Sequence, residues 1–238
     1  MAKLLYNNLF APITSEFGFL ECDVETGSNA FYEWKTRILR PYGQTVEMKS
    51  ITKGPMDVIL RLLLPLTDMH IRSLFIPTHG SWTAYFDNGW RGADPSSVIS
   101  YLAELVGCRG LRVVWTPHTL KGRKGQLGAV VLEVYGRPNP ILNIERSITL
   151  IHDGYKWDFE TGGEPLPFED TERYKAHRKT DRFTPEMLDA YLKELGIDGF
   201  SEDFYFATDD EPAKLVSIGG NLPHTMKEYS LEEARKDY

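Results

Sequence analysis

The densest set of residues able to do chemistry lies between Thr78 and Asp94, where His79, Asp87, Trp90 and Arg91 stand among aromatic side chains and three glycines. A histidine, a carboxylate and a guanidinium in one short stretch could serve a hydrolase or transferase, and a turn-rich loop beside a helix N-terminus could hold an anion near Arg91. Trp90 and Arg91 are also the residue types most enriched at binding hot spots, because each joins a large contact area to a hydrogen-bond donor. Arg91 precedes an expected helix N-terminus, which favours anions. His79, Asp87, Trp90 and Arg91 are therefore the candidate binding residues. The glycines do not follow the G-x-G-x-x-G order and no Walker lysine is present. Ser81 stands in His-Gly-Ser-Trp-Thr rather than in a nucleophile elbow.

Cys108 is the second candidate. It sits in Gly107-Cys-Arg-Gly110, where the neighbouring Arg109 favours a thiolate and His79 or His118 could act as its base. The segment directly follows an expected helix end, whose negative dipole opposes that thiolate. A structural role is the expectation. The only other cysteine, Cys22, is distant in sequence, and the two form neither C-x-x-C nor zinc spacing. That usage suits a reducing compartment and supplies no disulfide framework. The six histidines show no H-x-x-x-H or H-x-H spacing, so no metal site and no cofactor is expected.

These residues need a scaffold, and three helices are signalled by their ends. Asp94-Pro95 opens one, with Val98, Tyr101, Leu102, Leu105 and Val106 at helical spacing and Gly107 as its stop. Thr184-Pro185 opens another, through Met187, Leu188, Tyr191, Leu192 and Leu195 to Gly196. Gly54-Pro55 opens a third through Leu64, although its leucine-rich sides suit a buried strand almost as well.

Strand signals fill the middle of the chain. Ser147–His152 and Tyr155–Glu160 flank Asp153-Gly154, a two-residue hairpin signature. That turn would pair His152 with Tyr155, Leu150 with Trp157 and Ile148 with Phe159, burying Ile148, Leu150, Trp157 and Phe159 on one face. A second hairpin joins Arg72–Thr78 to Ser81–Asp87, with Trp82, Ala84 and Phe86 opposite Thr83 and Tyr85. Pro77 pushes its first strand towards an edge. Leu111–Thr116 and Leu127–Tyr135 form a third pair around the basic loop Lys121–Gly125. Hairpins rather than alternating βα units predict an α+β fold with a mainly antiparallel sheet, a few packed helices and a helical, acidic C-terminal extension. One domain spans residues 1–238, with residues 163–238 as an extension that does not stand alone, beginning near Gly162-Gly163.

Composition supports a folded chain: 42% apolar, 26% charged and 12% aromatic residues exclude a largely disordered one. The longest apolar stretch, Val58–Leu66, is interrupted by Arg61 and Pro65 and falls short of the ~20 residues of a membrane span. Asn7 and Asn8 cut short any secretory apolar run, so a cytoplasmic protein is expected. Residues 197–238 hold ten acidic and four basic side chains, a net of −6, whereas the other residues hold 24 and 23. An acidic balance disfavours nucleic acid and anionic lipid. Three charges in the Lys121–Gly125 loop, without exposed aromatics beside them, make a weak nucleic-acid site. The expected function is binding or regulation through a surface loop or the acidic face, such as neutralising a basic protein partner. The alternative is an enzyme, a hydrolase or transferase, using the His79/Asp87/Arg91 loop or Cys108.

Overall fold

Side-chain alternation decides the layering of this protein. In the strand Glu16–Leu20, Phe17 and Phe19 enter one apolar cluster while Leu20 enters another, and all three are fully buried. Both faces of the sheet are therefore covered. The computed structural model describes residues 3–93, 95–122, 124–136 and 143–236. Among these, the strands in chain order are β1 (Glu16–Leu20), β2 (Gln44–Ile51), β3 (Leu66–Thr67), β4 (Arg72–Pro77), β5 (Thr83–Asp87), β6 (Gly110–Thr116), β7 (Ala129–Tyr135), β8 (Ile144–His152), β9 (Trp157–Gly163), β10 (Ala213–Gly220) and β11 (Glu228–Tyr229). The α-helices are α1 (Val24–Leu39), α2 (Met56–Leu60), α3 (Pro95–Val106), α4 (Pro185–Glu194) and α5 (Leu231–Arg235).

The chain is an α+β fold. Nine strands form one antiparallel sheet in the order β2-β10-β4-β5-β1-β6-β7-β8-β9, and β3 pairs with β11 in a small ribbon. One face carries α1 and α3. Phe31 of α1 meets Phe75 and Tyr85 at 5.4 and 6.1 Å between ring centroids. Under α3 the sheet is lined by Gly18 and Gly110, where a Cβ would stand 2.4 and 2.6 Å from the Ile99 side chain. Only glycine permits so close a helix–sheet contact. The other face is covered by irregular chain, α2 and α4: Phe17 stacks on Phe86 and meets Phe200 edge-on.

The predicted α3 and α4 form as expected, with left-handed Gly107 (φ 74°) and Gly196 (φ 79°) after their ends. Thr184 caps α4 by accepting the Met187 N–H. The Asp94 cap lies outside the described residues, as does Arg123 of the basic loop. The segment after Gly54-Pro55 is helical but short, α2 running on into a 3-10 turn at Arg61–Leu63. The faces expected for β5 hold, with Trp82, Ala84 and Phe86 in one cluster and Tyr85 in the other.

Two expectations need correction. Pro77 does not mark an edge: β4 lies between β10 and β5. The β10 ladder reaches only to Phe75, so no β10 partner opposes Pro77. The β8–β9 register is shifted by two residues, pairing His152 with Trp157, Leu150 with Phe159 and Ile148 with Thr161. The cause is Asp153, whose carboxylate accepts the Tyr155 and Lys156 N–H groups at 2.8 Å each and so moves the tip to Gly154-Tyr155. A shift of two preserves the faces, so Ile148 and Leu150 are buried while Trp157 and Phe159 are only half-buried. The C-terminal part carries α4 and α5 and also supplies β10, which lies between β2 and β4. Through β10 it is part of the main sheet, in keeping with an extension that does not stand alone.

Trp157 packs edge-on against the His118 and His152 rings at 5.5 and 5.4 Å. Its half-burial lowers the expected cost of Trp157→Ala to about 2 kcal/mol, below the ~3–5 kcal/mol of a core tryptophan. Chemical denaturation checks this, and a loss above about 3 kcal/mol would show that the ring contributes as a full core residue.

Candidate functional site

A cavity of about 510 Å³ opens where β1 ends, α1 begins, β4 hands over to β5, and β10 starts. Each element brings its own group. Asp23 caps α1, accepting the Thr26 N–H at 2.7 Å and the Thr26 hydroxyl at 2.8 Å, and these donors hold its carboxyl below the usual carboxylate range. The Thr83 hydroxyl donates to the Cys22 carbonyl at 2.7 Å and pins the start of β5 to the end of β1. Trp82 stands in the wall with its indole N–H donated to the Leu195 carbonyl at 2.9 Å.

The lining is acidic. Glu21, Asp23, Glu25, Asp210 and Glu211 meet there, against the single ammonium of Lys214. Lys214 is itself engaged by Glu25 at 2.6 Å, which lowers the Glu25 carboxyl, with Asn29 assisting. Val24, Pro77 and Trp82 give the cavity an apolar wall. Cationic heads and apolar stems fit such a site. A second groove of about 700 Å³ runs beside α5, but there Asp57 and Glu232 are balanced by Arg61, Arg235 and Lys236.

The four residues singled out in the sequence do not assemble. His79, exposed on the β4–β5 loop, stacks on Phe206 at 4.6 Å. Asp87 ends β5 at the far side and is 1% exposed. Its carboxylate accepts the Gly89 N–H at 2.9 Å, faces the His70 Nδ1 at 3.0 Å, and accepts the Tyr85 hydroxyl at 3.4 Å. Gly89 is required there, because a Cβ would lie 2.4 Å from the His70 ring. Near this end Trp90 stacks on Tyr229 at 4.4 Å, with the Arg91 guanidinium 4.6 Å from the Trp90 ring centre. Asp87, Trp90 and Arg91 thus gather at one end of β5 and His79 at the other. The imidazole partner of Asp87 is His70.

Neither a protein-family model, nor a curated protein, nor a solved structure matches the chain. Fold-level analogy is therefore silent, and function has to be argued from the site.

Cys108 has a partner that sequence separation hides: its thiol lies close enough to that of Cys22 for the two to interact. His118 lies beyond the opposite end of β6 and cannot serve Cys108 as a base. The acidic C-terminal segment is not one face. Lys193 bridges Asp189 and Asp198, Lys3 meets Glu202, Lys53 meets Asp209 at 3.0 Å, and Glu233 closes the capping box of α5 with Ser230. Asp210 and Glu211 join the cavity instead, beside three acids from residues 21–25. Among the described residues no group of three or more His, Cys, Asp or Glu is placed to hold a metal ion. No helix there is long and apolar enough to cross a membrane.

Proposed function

We propose that this protein is a binding protein that takes up a basic segment of a protein partner in the acidic cleft. One observation carries the reading: five carboxylates from two distant parts of the chain converge on one cavity whose single ammonium is already paired. An arginine or lysine suits it, because the stem packs on Val24, Pro77 and Trp82 while the head meets the carboxylates. Neutralising a basic partner is the regulatory role that such a surface fits best. The enzymatic alternative built on His79, Asp87 and Arg91 would need His79 and Asp87 to meet, and they stand at opposite ends of β5.

Electrostatic complementarity acts chiefly on association rate and is screened by salt over about 8 Å at physiological ionic strength. A short oligo-arginine peptide is expected to bind the protein, and to do so more slowly as salt rises. The triple variant Glu21→Gln/Asp210→Asn/Glu211→Gln should slow association by about ten-fold at low salt with little change in melting temperature. Neutralising Glu160 and Glu164, exposed on and just beyond β9, should leave the rate unchanged. Equal slowing by both sets of substitutions would reduce the effect to net charge and remove the cleft as the docking site.

A further inference from the structure

The register of β1 and β6 has a chemical consequence at its open end. Leu20 pairs with Gly110, and one step further the Glu21 N–H donates to the Arg109 carbonyl at 2.8 Å. The next residues along the two segments are Cys22 and Cys108, just beyond the strands, and their thiols interact. At the other end of the ladder the Trp115 N–H donates to the Ser15 carbonyl, so the odd-numbered residues of this strand occupy the hydrogen-bonded positions. Continued by one residue, this register would set Cys22 and Cys108 opposite each other at a non-hydrogen-bonded position, the kind at which Cα atoms approach to about 4.5 Å and side chains come closest. A disulfide requires Cα atoms roughly 4.4–6.8 Å apart.

Both side chains point to the same face. Leu20, two residues before Cys22, belongs to the cluster under α1 and α3, and both cysteines pack against that cluster. Gly27 in the first turn of α1 leaves room, since a Cβ there would come within 3.3 Å of the Cys22 sulfur. Neither thiol is sealed off: both are half-buried, and Cys22 lines the cavity.

We propose that Cys22 and Cys108 form a reversible intramolecular disulfide, a two-electron redox site that exchanges with a small disulfide of the oxidised-glutathione class. One cysteine thiolate attacks a sulfur of the small disulfide, breaking its S–S bond, releasing one small thiolate and leaving a mixed disulfide on the protein. The second cysteine then attacks the protein sulfur and expels the other small thiolate. The two protons lost by the cysteines go to the two released thiolates. Two protein thiols are oxidised to one disulfide, and one small disulfide is reduced to two thiols. Burial disfavours a thiolate at either position, while the neighbouring thiol favours a thiolate on one member of the pair. Whichever thiolate attacks first has the other cysteine beside it to resolve the mixed disulfide. The crosslink joins the start of α1 to the end of α3, whatever the cleft binds.

The test titrates the wild-type chain, Cys22→Ser and Cys108→Ser with mixtures of reduced and oxidised glutathione. Expected for the wild type is the loss of both thiols in one transition and a mass lower by two hydrogens. A proteolytic fragment should link residues 22 and 108, and dithiothreitol should restore both thiols. Closing so long a loop should also raise the melting temperature of the oxidised form by roughly 5–10 °C. Each single variant should stop at the mixed disulfide. The wild type decides the matter even if a variant misfolds. Two thiols that persist in fully oxidised glutathione, two separate glutathione adducts, or a link between chains would each overturn the proposal.

Discussion

Glu169→Ala is expected to destabilise the protein by about 3–5 kcal/mol, the cost of leaving a buried guanidinium without its counter-ion. The side chains of Arg146 and Glu169 are 2% and 0% exposed. Their contact is bidentate, Nε to Oε1 at 2.8 Å and Nη2 to Oε2 at 2.6 Å. The Arg146 Nη1 also donates to the Gly162 and Gly163 carbonyls at 3.0 and 2.8 Å, and the Tyr174 hydroxyl donates to Glu169 Oε2 at 2.9 Å. Every arm of the guanidinium is used, so removing the carboxylate strands a charge that water cannot reach. The pair also clamps the segment after β9 to β8, where Gly162-Gly163 and two prolines would otherwise suggest a loose connection. The double variant Arg146→Met/Glu169→Leu should recover much of the loss, because it removes both charges together. Urea denaturation midpoints read both effects. A single variant within about 1 kcal/mol of the wild type would show that the site admits water and that the clamp contributes little.

Trp82→Ala is expected to cost a comparable ~3–5 kcal/mol, here through a cavity rather than a charge. The indole is 4% exposed, and its N–H reaches the Leu195 carbonyl at the end of α4. It thus joins the sheet to the irregular layer and forms the wall of the acidic cleft. Trp82→Phe separates the two contributions, since it keeps most of the apolar volume and loses the donor. Its expected cost is about 1–2 kcal/mol, the value of one buried hydrogen bond with its carbonyl left unpaired. If alanine and phenylalanine prove equally costly, the hydrogen bond rather than the packing dominates, and the wall of the cleft is softer than its burial implies.

The elements that can be read from the sequence are those whose signals are local. Both α3 and α4 declare themselves through a proline at the first turn, apolar residues at helical spacing, and a glycine after the end. The strands β4 to β9 declare themselves by alternation and by the turns between them. Helix α1 is invisible on those terms. Its first turns hold Thr26, Gly27, Ser28 and Asn29, all weak helix formers, and it persists because Phe31 and its neighbours are buried on the sheet. The usable local signal was Asp23, whose carboxylate caps Thr26. The β8–β9 hairpin shows the other limit: alternation sets which face is apolar, but a single carboxylate decides the register.

The candidate site lies wholly on the tertiary side of that division. His79 and Asp87, eight residues apart, look like partners in the sequence, yet β5 is extended and carries them to opposite ends. Glu21, Asp23 and Glu25 meet Asp210 and Glu211 only because β10 inserts between β2 and β4 and delivers its first residues beside the end of β1. Cys22 and Cys108 meet only through the β1–β6 register. From the sequence alone came the α+β class, the antiparallel pairing of neighbouring strands and the acidic balance of the chain, because short-range sterics, side-chain period and composition determine them. Which carboxylates share a cleft, and which thiols come side by side, depended on long-range strand order. That order is decided by burying both faces of one sheet at once, and no local pattern encodes it.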